Sequence, residues 1–272
     1  MGGGVLLQKR CLGQIDIAVS VLGLGTVKWG RNQGVKYPES FSIPDDLQLQ
    51  TLLTRAKEHG INLIDTAPAY GESESRLGKL LQGTRQEWVV CTKAGEQFYN
   101  NQSHFDFSKR AIIHSVESSL KNLQTDYLDI VLIHSNGDDV KLIAEDLVLE
   151  TLHYLKEKGM IRAIGMSTKT VAGGLLALDH ADVVMATLHP NHQDDMPIIE
   201  KAATLGKAIL VKKALASGHL NRVSEDDPIR ASIQFNLAQK AVTSIIIGTI
   251  SLAHLDENVG HINNILAQSR DE

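Results

Sequence analysis

The chain has 272 residues, near the ~250 of an eightfold α/β barrel, so its length fits one domain as readily as two. Its 43% hydrophobic and 22% charged residues are ordinary for a globular protein and exclude a disordered or fibrous chain, and the net charge of −5 with interspersed signs offers no basic stripe for nucleic acid. No window reaches the ~20 apolar residues of a membrane span, and Cys11 and Cys91 lack the number and spacing of a disulfide framework or a metal cluster.

These features predict a single domain over residues 1–272, in the cytoplasm, with no nucleic-acid or membrane partner. The opening Met-Gly-Gly-Gly run lacks the charged and apolar regions of a signal peptide. In chain order, Val5–Leu7 and Ile15–Val19 flank a turn at Gly13 and predict a hairpin that plugs one barrel end. Eight apolar runs follow: Val21–Gly25, Ile61–Asp65, Trp88–Lys93, Tyr127–His134, Met160–Ser167, Val183–His189, Ala208–Lys212 and Ser244–Thr249. Amphipathic stretches separate them. The first, Asp45–His59, has Asp45 as N-cap behind Pro44, an apolar stripe at Leu49, Leu52, Leu53 and Ala56, and Gly60 as terminator. The last, Ser251–Gln268, carries Leu252, Leu255, Val259, Ile262 and Ile265 at helical spacing, with His254, Glu257 and Asn258 on or near its polar side. Eight β-α pairs without a dividing linker predict an α/β fold, a (β/α)8 TIM barrel with an N-terminal β-hairpin.

Several of these runs finish in a polar residue: Asp65, Lys93, His134 and Ser167. Parallel strands in a barrel all point one way, so these ends share the C-terminal rim where barrel enzymes place their chemistry, and Tyr70 follows Asp65 by five residues on a loop. Taken singly, each has a plain reading: a helix cap, a solvated strand end, a core histidine, a loop anchor. Together they supply a carboxylate, an ammonium, an imidazole and a phenol, the parts of an acid–base site. A free Tyr hydroxyl titrates near ~10, and a neighbouring ammonium favours the phenolate, so Lys93 is expected to lower the pKa of Tyr70 while Asp65 keeps Lys93 charged. His134, taken as neutral, would orient the substrate oxygen against Tyr70.

At these residues the sequence resembles the aldo-keto reductase family. The resemblance runs through LGLGT at Leu22–Thr26, GINLIDTAPAYGESESRLG from Gly60 to Gly78, TKAG at Thr92–Gly95, ESSLKNLQTDYLDIVLIH from Glu117 to His134, GMIRAIGMS from Gly159 to Ser167, and IIIGTISLAHLDEN from Ile245 to Asn258. The family's catalytic Asp, Tyr, Lys and His fall on Asp65, Tyr70, Lys93 and His134. The resemblance implies hydride transfer between a nicotinamide and a carbonyl carbon, with the proton supplied by Tyr70, and the reverse oxidation of an alcohol or sugar hemiacetal. It implies cofactor contacts at Gly25, Thr26, Asp65 and Ser167, a phosphate site at Gly248 and Thr249 before the last helix, and an adenosine clasp at His254, Glu257 and Asn258. NADP(H) is the family default.

Three departures from that pattern stand out. Gly248, Ile250 and His254 stand where many relatives hold the 2′-phosphate with Lys or Arg, which makes NAD(H) plausible. Lys212 or Lys213 replaces a nicotinamide-stacking Tyr, and Met185 replaces a Gln of the sixth strand. The expected partner is a small carbonyl or alcohol, the chain acting as a monomer or weak homo-oligomer. Substrate identity depends on Lys28–Phe41, Glu96–Phe107 and the region after His189, where Trp29, Tyr37 and Phe41 are candidates for an aromatic wall and Trp29, Tyr70 and His134 for substrate contacts. The chain stops soon after the last helix, which predicts an open site of broad specificity. Two other readings remain: a slow, nicotinamide-binding regulatory subunit, and a barrel hydrolase whose metal is held by His189, His192, Asp194 and Asp195.

Overall fold

The structure, a computed structural model, describes residues 5–35, 37–38, 40–218 and 227–271, so the Met1–Gly4 run lies outside the described residues. Strands β1 (Lys9–Leu12) and β2 (Ile15–Ser20) form the N-terminal hairpin, and Gly13 takes the left-handed φ of 58° that its turn requires. The first arm therefore lies later than the expected Val5–Leu7. Val5 and Leu6 are exposed and only Leu7 is buried, its N–H donating to the His59 carbonyl instead of to a strand partner.

The eight predicted strands are present as β3 (Leu22–Gly25), β4 (Leu63–Asp65), β5 (Val89–Ala94), β8 (Leu128–His134), β9 (Ile161–Ser167), β10 (Val183–Thr187), β11 (Ala208–Lys212) and β12 (Val242–Ile247). They close in that order into one parallel barrel, β12 pairing back onto β3. Between β5 and β8 the chain adds an antiparallel hairpin, β6 (Glu96–Tyr99) with β7 (Gln102–Phe105). Most strand boundaries move by one or two residues, and two of the shifts bear on the rim. β10 ends at Thr187, because Asp195 caps it by accepting from the Thr187 N–H at 2.8 Å, and β12 ends at Ile247, leaving Gly248 and Thr249 in a loop.

The helices that follow the strands are α1 (Val27–Gly30), α2 (Asp46–Glu58), α3 (Ser73–Leu80), α4 (Lys109–Asn122), α5 (Asp139–Ala144), α6 (Val148–Glu157), α7 (Val171–His180), α8 (Met196–Leu205), α9 (Pro228–Leu237) and α10 (Leu252–Asp271). The first long one begins as expected: the Asp45 carboxylate accepts from Gln48 N–H while the Gln48 side chain accepts from Asp45 N–H, a reciprocal cap. Its stripe, Leu49, Leu52, Leu53 and Ala56, is buried against the barrel. No helix among the described residues is long and apolar enough to cross a membrane.

Strand side chains alternate with a period of two, so each barrel strand sends every second residue inward. Leu63, Val89, Cys91, Ile130, Leu132, Ala163, Val183, Met185, Ala208 and Leu210 fill the interior, and Leu12, Ile17 and Val19 of the hairpin join them at the bottom, so the hairpin plugs that end. Cys91 is a packing thiol whose burial raises its pKa. Continuing the same alternation by one step gives the uppermost inward layer: Gly25, Asp65, Lys93, His134, Ser167, Thr187, Lys212 and Gly248.

The bottom is tied by Asp129, buried at the start of β8, which accepts from Arg85 Nη2 and Arg162 Nη1 at 2.7 Å each and from Val90 N–H at 3.0 Å. Replacing Asp129 by Ala takes the carboxylate from the largely buried Arg85 guanidinium and leaves the Val90 amide without its acceptor, a loss of about 3 kcal/mol. The Asp129→Ala protein is expected to melt roughly 6–12 °C lower by calorimetry.

Candidate active site

The top layer places the four expected acid–base groups together. Asp65 and Lys93 occupy inward positions on adjacent strands, and Lys93 Nζ donates to Asp65 Oδ1 at 2.7 Å and to the Thr66 carbonyl at 2.9 Å. Both side chains are almost fully buried. Burial disfavours the ammonium, but Asp65 and then Tyr70 more than offset it, and the Lys93 pKa stands above its ordinary value. Tyr70 ends a 3-10 turn, Pro68–Tyr70, and its ring lies 4.8 Å from Lys93 Nζ. His134 closes β8, with its ring 6.3 Å from that of Tyr70 and nearly perpendicular to it.

The pKa of Tyr70 departs from the sequence-based expectation. Lys93 pulls it down as argued, but burial is the larger effect and Asp65 adds to it, so the phenol is pushed up to about 12. Tyr70 is therefore a protonated donor at neutral pH. Lys93 moderates a cost set by burial.

One member of the site gave no signal among the strand ends. Glu96, first residue of β6, sets Oε2 2.7 Å from His134 Nδ1, at an angle short of in-line hydrogen bonding, and receives the Ser103 hydroxyl at 2.5 Å. Burial opposes the charge of Glu96, yet His134, Ser103 and Lys169 together hold its pKa at about 2. His134 itself is lowered, burial and the cations Lys93 and Lys212 outweighing Glu96, so the imidazole is neutral at pH 7. The signal for Glu96 was the hairpin: EQFY and QSHF alternate around Asn100-Asn101, both at positive φ, the two-residue turn that asparagine tolerates.

Around this centre the candidate cofactor contacts separate into groups. Lys212, inward on β11, donates to Ser167 Oγ at 2.9 Å and to the Thr168 carbonyl at 2.6 Å. Burial and then Lys213 bring its pKa down to about 7. Gly25 and Gly248 lie at neighbouring strand ends, and a Cβ on Gly248 would stand 2.8 Å from the Tyr37 hydroxyl, so the Tyr37 side chain closes over that glycine. Thr26 is turned away: its hydroxyl donates to the Asp65 carbonyl and accepts from Ser73 Oγ. Past Gly248, Thr249 Oγ1 accepts from Ser251 N–H, and Ser251 Oγ accepts from His254 N–H at the start of α10. His254 and Glu257 are exposed, whereas Asn258 is buried rather than on the polar side, with Oδ1 lacking a partner. The orphaned carbonyl in the second turn of α10 suits a ligand's amino group, and the N-terminus of that helix, just past Gly248, suits phosphates; a nicotinamide dinucleotide has both.

Among the candidate wall residues, Trp29 is corrected. Its side chain has no exposed surface and packs in the core from α1, because Val27–Gly30 turns helical directly after β3. Tyr37 and Phe41 do form a pair at the mouth, 5.7 Å apart, with Lys28 Nζ 4.0 Å from the Tyr37 ring and 5.0 Å from that of Phe41. Met185 is a buried interior residue and makes no polar contribution. The alternative metal centre is not assembled: His189 and His192 bridge each other in a tight turn, Asp195 caps β10, and no three potential ligands among the described residues come together.

The comparisons with known proteins agree with this geometry. The model of the Aldo/keto reductase family matches residues 21–231. A solved putative aldo-keto reductase from Pseudomonas aeruginosa is 47% identical, with a TM-score of 0.87 over 95% of this chain and 96% of that one. L-galactose dehydrogenase of Arabidopsis thaliana is 27% identical over 98% of this chain and 91% of its own length. An NADH-specific methylglyoxal reductase of Escherichia coli is 35% identical over 58% of this chain and 51% of its own length. With its barrel closed, its four rim groups assembled and the family pattern spanning most of its length, the chain belongs to the aldo/keto reductase family, whose members are oxidoreductases that work with a nicotinamide cofactor.

Proposed function

We propose that the protein interconverts small carbonyl compounds, among them aldehydes, ketones and sugar aldehydes, with their alcohols, Tyr70 moving the proton. The observation that carries this reading is the buried Lys93–Asp65 pair set 4.8 Å from the ring of a Tyr70 that keeps its proton. A bound nicotinamide supplies or receives the hydride. The residues do the rest. Tyr70 donates its hydroxyl proton to the substrate oxygen as charge develops there, and Lys93 stabilises the phenolate left behind. Asp65 keeps Lys93 charged and pointed. His134 fixes the oxygen opposite Tyr70, and Tyr37 with Phe41 lines the mouth.

The proposed cofactor contacts are Gly25, Ser167, Lys212, Gly248, Thr249, His254, Glu257 and Asn258. NAD(H) suits this chain as well as NADP(H), since Gly248, Ile250 and His254 provide no guanidinium or ammonium for a 2′-phosphate, and one relative is named for NADH specificity. The dehydrogenase relative named for L-galactose supports including sugars. The two free thiols fit a reducing compartment, which supports placement in the cytoplasm.

Turnover of NADH and NADPH with a panel of aldehydes, ketones and sugars, followed by absorbance, tests the assignment. The native protein is expected to oxidise at least one cofactor in a substrate-dependent way, and Tyr70→Phe to lose at least about 100-fold in kcat while keeping cofactor affinity within a few-fold. Tight binding with no turnover on any substrate would instead make it a regulatory nicotinamide-binding subunit. A second expectation concerns Lys212. Its ammonium is held below about pH 7 and lost above it, so affinity for the anionic cofactor falls as pH rises through that region, more gradually once bound phosphate favours the charged form. Fluorescence titration across pH 6–9 checks this, and Lys212→Met is expected to flatten the profile.

A further inference from the structure

The carbonyl chemistry proposed above requires donors at the substrate oxygen, and the structure makes that requirement unusually strict at His134. A carboxylate oxygen 2.7 Å from a ring nitrogen is tolerable only if that nitrogen carries a proton, because two lone pairs at that distance repel. No other polar group among the described residues reaches the buried Nδ1. Glu96 is in turn fixed by the Ser103 hydroxyl across the β6–β7 hairpin, so the arrangement is a built contact and not a chance rotamer. The neutral imidazole has a single proton. With that proton on Nδ1, the other ring edge, away from the hairpin, presents a bare Nε2.

We propose that Glu96 is a positioning residue that locks His134 in its Nδ1–H tautomer, so that Nε2 accepts a hydrogen bond from the hydroxyl of an alcohol or sugar hemiacetal. The inference rests on the carbonyl–alcohol reading of the site. It deepens that reading, because it separates the two directions of reaction by proton inventory. An alcohol oxygen donates its own hydrogen to Nε2 and still accepts from another group. A carbonyl oxygen has no hydrogen, meets a lone pair at Nε2, and is well held only when His134 takes a second proton and becomes an imidazolium donor. Carbonyl reduction is thereby tied to the acid form of His134, and Glu96 extends that form to higher pH.

The groups facing the imidazole are few. Lys93 on β5 and Lys212 on β11 disfavour a second proton, Glu96 on β6 favours it, and the Tyr70 phenol is uncharged. The sign follows directly. Removing the Glu96 charge takes away the group that favours the second proton and leaves burial, Lys93 and Lys212 disfavouring it, so the His134 pKa falls, and the pH above which reduction declines falls with it.

The test uses Glu96→Gln in the full-length protein, with two readouts. Nitrogen-15 spectra of histidine-labelled protein at pH 8, His134 being assigned by difference from His134→Asn, are expected to show protonated Nδ1 and bare Nε2 in the native chain, and loss of that preference in Glu96→Gln. The descending limb of kcat/KM for carbonyl reduction is expected to move roughly one to two pH units to the acid side in Glu96→Gln, with Glu96→Asp lying between the variant and the native enzyme. A protonated Nε2 in the native spectrum, or a tautomer and pH profile that ignore the loss of the carboxylate, overturns the inference. The spectra need no turnover. A chain that reduces no carbonyl would refute the functional reading while the tautomer still decides the role of Glu96, and the Asp variant keeps the test open should Glu96→Gln fold poorly.

Discussion

Everything at the rim depends on one buried ion pair. Lys93 and Asp65 lie inside the top of the barrel with almost no exposure, where either charge alone would be expelled or neutralised. Paired, and with Lys93 also donating to the Thr66 carbonyl, they fix a positive charge beside the Tyr70 ring. The surroundings are arranged to keep this charge in place. Cys91 occupies the layer directly beneath as an uncharged thiol, and Glu74, also buried and with its pKa raised by burial, accepts the Thr92 hydroxyl at 2.6 Å.

A second balance is set on the other side of Tyr70. Glu96 and Lys212 act on opposite faces of the pocket, one a carboxylate held ionised against His134, the other an ammonium weakened by burial and by Lys213. Three cationic or potentially cationic groups, Lys93, Lys212 and His134, thus share one small volume with two carboxylates. His134 and Lys212 are the adjustable members of this set, since Lys93 is committed to Asp65 and Glu96 stays charged across the ordinary pH range.

Much of this was legible in the chain because barrel geometry converts period-two alternation into position. Leu63 inside implies Asp65 inside, Cys91 implies Lys93, and Leu132 implies His134, so apolar runs ending in polar residues describe the top layer without any contact information. Trp29 was misplaced because a short helix directly after β3 turned a loop aromatic into a core residue, a tertiary outcome that composition does not carry. The first hairpin arm moved from Val5–Leu7 to Lys9–Leu12 because Gly13 fixes the turn, and pairing begins beside it whatever the hydrophobicity further upstream. Glu96 is legible only as the start of a variable segment, because it sits outside the barrel strands, on a hairpin whose asparagine turn is a weaker signal than a Gly-containing one. The Tyr70 pKa required burial, a magnitude that spacing cannot supply.

The central claim is that Asp65 and Lys93 act as a unit on Tyr70. The measurement that tests it most directly is a double-mutant cycle on kcat with Asp65→Asn, Lys93→Met and the pair, each checked for cofactor binding so that folded protein is compared. Loss of Lys93 removes the charge that Asp65 exists to hold, so the double variant is predicted to be no slower than Lys93→Met within a few-fold. Losses that multiply in the double variant would mean that the two residues serve Tyr70 independently, and would contradict the account.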